Sequence, residues 1–86
     1  MVIKFTKHAK LRLKDRNLSI KEIEEAVKNY DVVVPDKFDP LVIHYIKKIQ
    51  DKFLRVIAKW EDEGTVLVIS AFYDRRLKKN RGDKDD

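Results

Sequence analysis

Three apolar runs in the second half of the sequence, residues 41–49, 53–60 and 65–73, constrain the fold more than any other feature. The links between them, Gln50-Asp51-Lys52 and Glu61-Asp62-Glu63-Gly64, are only three and four residues long. Links this short join neighbouring strands into antiparallel hairpins, because a parallel connection needs a much longer crossover. The sequence therefore predicts a three-stranded antiparallel meander.

A helix with a well-marked start precedes the meander. Ser19 and Glu22 have the S-x-x-E spacing of a capping box, and Leu18 can pack onto Ile23 as a hydrophobic staple. The stripe predicted to face the core recurs at helical spacing and consists of Ile20, Ile23, Val27 and Tyr30, with Ala26 beside it. We therefore predict an amphipathic helix that begins just after Ser19.

A shorter helix is predicted nearer the start of the chain. Thr6 can cap a helix over residues 7–16, and residues 2–5 can form a short strand before it. On this helix Ala9 and Leu13 form a narrow apolar strip bordered by cations.

Side-chain patterns predict which strands lie inside the sheet. Residues 65–73 are apolar on both faces, because one alternating set consists of Leu67, Ile69 and Ala71 and the other of Val66, Val68, Ser70 and Phe72. This pattern is typical of an interior strand. In residues 41–49 the pattern is interrupted by Lys47 and Lys48, which predicts an edge strand protected by charge.

Together the elements predict an α+β domain. Residues 31–34, which end at Pro35, are a possible further strand. The predicted order is (β)ααβββ(β), with two N-terminal helices packed on a small, mainly antiparallel sheet. Because 86 residues suffice for one domain and not for two, we expect a single domain at residues 1–76 and a charged, disordered tail at residues 77–86.

Several classes of function lack the residues that they need. The chain has no cysteine, which excludes disulfides, a thiolate nucleophile and Cys-ligated zinc. It has no glycine-rich phosphate loop, and its two histidines, His8 and His44, lack the acidic cluster of a metal site. We therefore expect no metal and no cofactor. Without an apolar leader or a run of about 18 apolar residues, we expect a cytoplasmic protein with no membrane partner.

The net charge of +5 is concentrated at the two ends of the sequence. Residues 1–16 carry six Lys or Arg against one acid, and residues 74–86 carry six against four. Such a basic surface suits an anionic partner, most often nucleic acid, because neutralising phosphates releases condensed counterions. The alternative interpretation is that the charge only maintains solubility.

The first candidate site is a row on the short helix. His8, Arg12 and Arg16 are spaced i, i+4 and i+8, so they lie along nearly one side. Near a helix start, a neutral imidazole beside a bound phosphate is favourable, and it could act as a general acid or base. The structural alternative is that His8 packs on the sheet while Arg12 pairs with Asp15 or Glu22.

The second candidate site lies at the end of the last strand. Tyr73 can stack on a base, and Arg75 and Arg76 can bind phosphate, a combination typical of RNA contacts. Arg55 and Lys59 share one strand face and could extend this basic patch across the sheet. The alternative here is a solvated charged segment with Tyr73 as its half-buried cap.

The opening residues resemble a known family. Residues 5–19, F-T-K-H-A-K-L-R-L-K-D-R-N-L-S, resemble the H-A-x-x-R-x-x-x-R-x-[IL]-[ST] opening of a small DUF-type family that is similar to the RelE-like and BrnT-like toxins of toxin–antitoxin systems. The resemblance extends through the capping-box helix to a meander that ends in I-S-A-F-Y. It implies a RelE-like fold and, by analogy, a metal-independent RNA endonuclease of mRNA-interferase type, or a relative of one.

The resemblance also implies site residues by position. Metal-independent cleavage needs a base for the 2′-hydroxyl proton, cations for the scissile phosphate and an acid for the 5′-oxygen. By position the resemblance implies His8, Arg12 and Arg16, and late in the sheet Tyr73, Arg75 and Arg76. With Arg55 and Lys59 added from their shared strand face alone, we expect catalysis from His8, Arg12 and Tyr73, and RNA binding from Arg16, Arg55, Lys59, Arg75 and Arg76.

Two other classes of function fit the same residues. A non-catalytic RNA-binding module would show salt-sensitive binding without cleavage. A protein-interaction domain would pair with an antitoxin-like partner, for example by strand addition at the edge expected at residues 41–49, or would form a homodimer there. The charges of Lys47 and Lys48 weaken the homodimer alternative.

Overall fold

The three apolar runs form the antiparallel meander that their short links require. The computed structural model describes residues 1–77, so the predicted tail at residues 77–86 lies outside the described residues apart from Leu77. The elements in chain order are β1 (Val2–Phe5), α1 (Lys7–Asp15), α2 (Ile20–Lys28), β2 (Val32–Pro35), β3 (Val42–Ile49), β4 (Lys52–Asp62) and β5 (Thr65–Tyr73). This arrangement confirms the α+β class, and both of the optional strands are present.

The five strands form one mixed sheet in the order β1-β5-β4-β3-β2. Only the β1–β5 pair is parallel within this described sheet. The predicted interior position of β5 is confirmed, whereas the prediction that β3 is an edge strand was wrong. β2 pairs along β3, and the lysines of β3 contact the chain that enters β2: Lys47 Nζ donates to the Asn29 carbonyl at 2.8 Å, and the Lys48 N–H donates to Asp31 at 2.7 Å. Strand addition to β3 is therefore blocked on both sides.

Both helices pack on the same face of the sheet. From α1 the buried residues are Ala9 and Leu13, as the sequence predicts. From α2 they are Ile23, Ala26 and Val27, while the predicted core positions Ile20 and Tyr30 are 45% and 48% exposed. These two residues stand at the first position of α2 and beyond its cap, so they project past the part of the helix that covers the sheet.

Local signals fix the helix ends. The capping box of α2 is present, with the Ser19 hydroxyl accepting from the Glu22 N–H and the Glu22 carboxylate accepting from the Ser19 N–H, both at 3.0 Å. α1 ends in a Schellman motif at Asn17, which has a φ of 56°. The Leu18 N–H closes this motif by donating to the Leu13 carbonyl at 2.8 Å. Together these caps set the turn between the helices.

A β-bulge in β5 changes which side chains face the helices. Val66, Val68 and Ala71 are buried on the helix side, so the spacing of the buried set changes from two residues to three. Ser70 pairs with Ile57 and Val68 pairs with the next residue of β4, which leaves Ile69 without a partner. The simple alternation expected for this strand, with Ala71 on the face of Leu67 and Ile69, was therefore wrong.

Candidate functional site

The face of the sheet opposite the helices carries the polar side chains of interest. In β4, Leu54, Val56 and Ala58 are buried toward the helices, so the alternating Arg55 lies on the opposite, helix-free face. Arg55 is in register with Ile46 of β3 and with Phe72 of β5. His44 is one pleat further along β3 on the same face, which makes it a diagonal neighbour of Arg55.

Five side chains on this face form one hydrogen-bonded polar network, and they are Asp36, His44, Arg55, Asp74 and Arg76. The Asp36 carboxylate lies 2.8 Å from His44 Nε2, and His44 Nδ1 lies 2.7 Å from an Nη of Arg55. Arg55 Nε donates to Asp74 at 2.8 Å, and Arg76 Nε donates to the other oxygen of Asp74 at 3.4 Å. The network thus links the end of β2 to the end of β5 across two intervening strands.

These contacts determine which ring nitrogen of His44 carries the proton. A guanidinium can only donate, so Nδ1 of His44 accepts from Arg55. The Nε2 atom then carries hydrogen and donates to the Asp36 carboxylate. The imidazole is therefore neutral in this arrangement, because a second ring proton would point at the guanidinium. His44 is a potential base whose lone pair is covered by Arg55.

Asp74 is the buried centre of the network, with a side chain only 2% exposed. Burial raises its pKa, but hydrogen bonds from the backbone and side chain of Arg76 and from Arg55 outweigh this effect and hold the pKa of Asp74 below its ordinary value. It is thus an ionised carboxylate that fixes Arg55. The Arg76 side chain is 84% exposed and its contact is long, so it is the more easily released of the two arginines.

Asp36 both orients His44 and shapes the loop after β2. Its carboxylate accepts from the backbone N–H groups of Phe38 at 3.1 Å and Asp39 at 3.0 Å. The Asp39 N–H, His44 and the Phe38 N–H, in that order of effect, hold the pKa of Asp36 below its ordinary value. The loop therefore supports an ionised carboxylate at the position that orients the imidazole.

The polar network forms one wall of a cavity of about 500 Å³. Lys37 adds a third cationic side chain to its lining, and Phe38, Pro35 and Leu77 add apolar surface. Phe38 is 93% exposed at the rim. Cations together with an exposed aromatic ring suit a ligand that combines phosphate with a planar base.

The predicted row on α1 lies on the other side of the sheet. His8 and Arg12 are exposed, and Arg12 Nε donates to His8 Nε2 at 3.3 Å. The structural alternative for these residues was wrong, since His8 does not pack on the sheet and Arg12 pairs with His8 rather than with Asp15 or Glu22. The row and the polar network therefore do not form a single compact site.

The remaining predicted residues are divided between the two faces. Arg55 and Arg76 meet at Asp74 in the polar network. Lys59 lies four residues beyond Arg55 on the same face, in register with Val42 and Leu67.

Tyr73 lies on the helix side, because the bulge places it in phase with the buried Ala71. Burial, and to a smaller extent the charge of Glu22, raise the pKa of Tyr73, and the Lys52 ammonium lies 5.2 Å from the ring centroid. Tyr73 and the exposed Arg75 line a separate cavity of about 280 Å³ beside the β3–β4 turn.

Sequence reasoning missed His44, Asp36 and the role of Asp74. The sequence was interpreted for His44 only as a metal ligand, a role for which the acidic cluster is absent. The available signal was a histidine at an alternating position of a strand, eight residues after an aspartate that follows a valine-rich strand. If those strands form a hairpin, the two side chains become neighbours, as they do here.

Residues 1–77 contain neither a metal-binding cluster nor a membrane-spanning helix. No group of three or more His, Asp or Glu side chains is close enough to hold a metal ion. No helix in this part of the chain has the length and apolar character needed to cross a membrane.

Comparison with known proteins gives the family. No characterised protein and no solved structure matches the chain. One family model, described as Domain of unknown function (DUF4258), matches residues 5–73. The match spans both helices and strands β2 to β5. The chain belongs to the DUF4258 family.

Proposed function

We propose that this protein is a RelE-like, metal-independent RNA endonuclease whose cleavage site is the polar network. One observation carries the proposal: a neutral imidazole, His44, is held between a carboxylate and a guanidinium in the wall of a cationic cavity. A carboxylate–imidazole pair supplies an oriented base, and guanidiniums bind phosphate. Residues 5–19 resemble the opening of a DUF-type family that is similar to the RelE-like and BrnT-like toxins, and this analogy supports the same reaction class.

In the proposed reaction, the scissile phosphate first engages Arg55 and the exposed Arg76. Arg55 then turns from His44 Nδ1 to the phosphate, and the lone pair of Nδ1 becomes free. His44 takes the proton of the 2′-hydroxyl, the 2′-oxygen bonds to phosphorus, and the bond from phosphorus to the 5′-oxygen breaks. The leaving oxygen takes a proton from water and His44 returns its proton to solvent. The products are a 2′,3′-cyclic phosphate and a 5′-hydroxyl.

The two carboxylates have different roles in this scheme. The Asp36 carboxylate accepts the hydrogen bond from His44 Nε2–H, which keeps His44 in the correct tautomer. The same carboxylate stabilises the imidazolium that forms when His44 takes the proton. Asp74 accepts the hydrogen bond from Arg55 Nε and so anchors that edge of the guanidinium while its Nη groups turn to the phosphate. The guanidiniums stabilise the charge that develops on the phosphate oxygens.

The geometry favours His44 over His8 as the base. The His44 side chain is 16% exposed and has an orienting carboxylate, whereas His8 is exposed and its Nε2 accepts from Arg12. A partly desolvated, oriented imidazole is the better-defined proton acceptor. We therefore propose that His44, on the opposite face of the sheet, carries out the proton transfer expected from His8.

The test is cleavage of end-labelled single-stranded RNA in the presence of EDTA by the parent, His44→Gln and His8→Gln proteins. We expect the parent to leave a 2′,3′-cyclic phosphate, and His44→Gln to lose about 10²- to 10⁴-fold in rate. His8→Gln tests the alternative base on α1. At saturating RNA, where weaker binding does not limit the rate, it should cleave within about 3-fold of the parent. Circular dichroism establishes that all three proteins are folded.

Three results would overturn the proposal. Undiminished cleavage by folded His44→Gln would remove His44 from the reaction. Loss of cleavage in His8→Gln, with His44→Gln still active, would identify His8 on α1 as the base. Salt-sensitive RNA binding by the parent with intact substrate would instead identify a non-catalytic binding module.

A further inference from the structure

We propose that His8, Arg12 and Arg16 form a track that binds single-stranded RNA and leads it around the uncovered end of β5 to the polar network. The inference rests on the proposed function, because it names the path by which that site receives its substrate. It concerns substrate length: only RNA longer than the few nucleotides at the cavity would use the track. The three residues are called the α1 row below.

The α1 row follows one side of the helix. Its members are four residues apart, and each is therefore about one turn further along the axis. Arg12 is held toward His8 by the hydrogen bond from its Nε. This leaves the terminal nitrogens of Arg12, with their donors, available to phosphate. Ala9 and Leu13, which form the neighbouring strip of the helix, are buried against the sheet. The α1 row therefore lies along the border of the helix–sheet contact.

Arg16 carries the row onto the sheet. β1 ends at Phe5, in register with Val68, so among residues 1–77 no strand lies beside the last residues of β5 on that side. An Nη of Arg16 donates to the Ala71 carbonyl at this uncovered edge, at 2.9 Å. The guanidinium carbon lies 5.9 Å from the centroid of the Phe72 ring. Arg16 thus connects α1 to the edge of β5.

Phe72 joins Arg16 to the polar network. The bulge at Ile69 turns Phe72 to the helix-free face, where it is in register with Arg55. Arg16 and Arg55 therefore approach the same aromatic residue from two sides, one from the sheet edge and one from the neighbouring strand. Arg16, Phe72 and Arg55 therefore mark a path from the end of α1 to the cavity that Arg55 lines.

The chemistry of this path fits single-stranded RNA. Phosphates can contact the guanidiniums, and an unpaired base can stack on Phe72; duplex RNA offers no unstacked base to that ring. Within residues 1–77, neither Arg12 nor Arg16 forms an ion pair with a carboxylate. Their charge is therefore available to a partner, in a segment, residues 1–16, that has five more cations than anions.

The test compares RNA of two lengths. A dinucleotide reaches only the polar network, while a 12-nucleotide RNA also reaches the α1 row. The variants are Arg12→Gln, Phe72→Leu and, as matched control, Lys10→Gln, which removes an exposed cation on the other side of α1. Binding of the long RNA is measured by fluorescence anisotropy across a salt series in the His44→Gln background, so that the RNA stays intact.

We expect Arg12→Gln to lower the magnitude of the salt slope by about 0.7, the value for one phosphate contact on a single strand. Phe72→Leu should weaken binding of the long RNA about ten-fold through lost stacking. Lys10→Gln should change binding less than two-fold. With His44 restored, Arg12→Gln and Lys10→Gln should cleave the dinucleotide at the parental rate, because both residues lie on α1.

Each failure has a distinct meaning. Equal effects of Arg12→Gln and Lys10→Gln would show diffuse attraction and overturn the track. Binding of poly-glutamate as tight as that of RNA, with the same sensitivity to Arg12→Gln, would overturn the assignment to RNA. If the parent does not cleave RNA at all, the proposed function fails, whereas the binding data still decide whether the track exists.

Discussion

Removal of the Asp74 carboxylate is the sharpest test of the network's energetics. The Arg55–Asp74 contact is 2.8 Å, with side-chain exposures of only 14% and 2%. In Asp74→Ala the Arg55 guanidinium keeps its place among buried strands but loses its ion partner, and only the contact with His44 remains. Breaking a buried pair from one side costs about 3 to 5 kcal/mol, because the remaining charge stays desolvated. We expect this loss in the free energy of unfolding.

The assay is urea denaturation at pH 7, followed by circular dichroism, with thermal melts beside it. A domain of this size loses about 4 to 8 °C in Tm per kcal/mol, so the Tm of Asp74→Ala should fall by at least about 12 °C. Asp15→Ala is the control, because Asp15 is exposed on α1; it should lie within about 0.5 kcal/mol of the parent.

A second variant separates the unpaired charge from lost packing. If the cost arises from the stranded guanidinium, adding Arg55→Met to Asp74→Ala should recover part of the lost stability. If Asp74→Ala lies within about 1 kcal/mol of the parent, Arg55 does not depend on the carboxylate and the reasoning is refuted. If the double variant is less stable than Asp74→Ala, the cost comes from packing and not from charge.

Two further predictions concern the cap of α2 and the response to acid. Ser19→Ala removes the acceptor of the Glu22 N–H and should cost about 1 kcal/mol in urea denaturation, while Ser19→Gly should cost only a few tenths; equal stability of parent and Ser19→Ala would contradict the role of the cap. Because the pKa values of Asp36 and Asp74 are lowered by folding, their stabilisation is complete above the ordinary aspartate pKa of about 3.9 and is lost as the pH falls through the lower folded values. The urea concentration at the unfolding midpoint should therefore decrease as the pH is lowered below about 4, and this decrease should be less steep in Asp74→Asn. A midpoint that increases toward acid pH would contradict this assignment.

The sequence predicts most of the fold because its local signals agree with one another. The Thr6 cap of α1, the capping box at Ser19 and the short links of the meander each act within a few residues, and each is found where the pattern indicates. The errors concern relations between distant segments. The lysines of β3 indicate an exposed edge, yet β2 folds back on it, and Lys47 instead satisfies the carbonyl of Asn29.

The candidate site shows the same division between local and distant information. Composition and spacing alone identify the basic and aromatic residue types on which the proposal of RNA binding rests. The sequence could not show that His44, Arg55 and Asp74 meet, since they lie on β3, on β4 and after β5 and are joined only by strand register. A histidine on a strand carries no sign of its neighbours until the hairpins are paired.

One unpaired residue in β5 decides which aromatic residue belongs to the site. Without a bulge, every second residue after Val66 and Val68 would face the helices. Phe72 would then face the helices and Tyr73 would lie on the helix-free face. The extra residue at Ile69 reverses this, so Phe72 lies beside Arg55 and Tyr73 lies near α2. The residue pattern fits both arrangements, with and without a bulge, because Ser70 and Ala71 are both small enough to be buried. Only the pairing of β5 with β4 decides between them. The arrangement with the bulge places the Phe72 ring, rather than the titratable phenol of Tyr73, beside the proposed cleavage site.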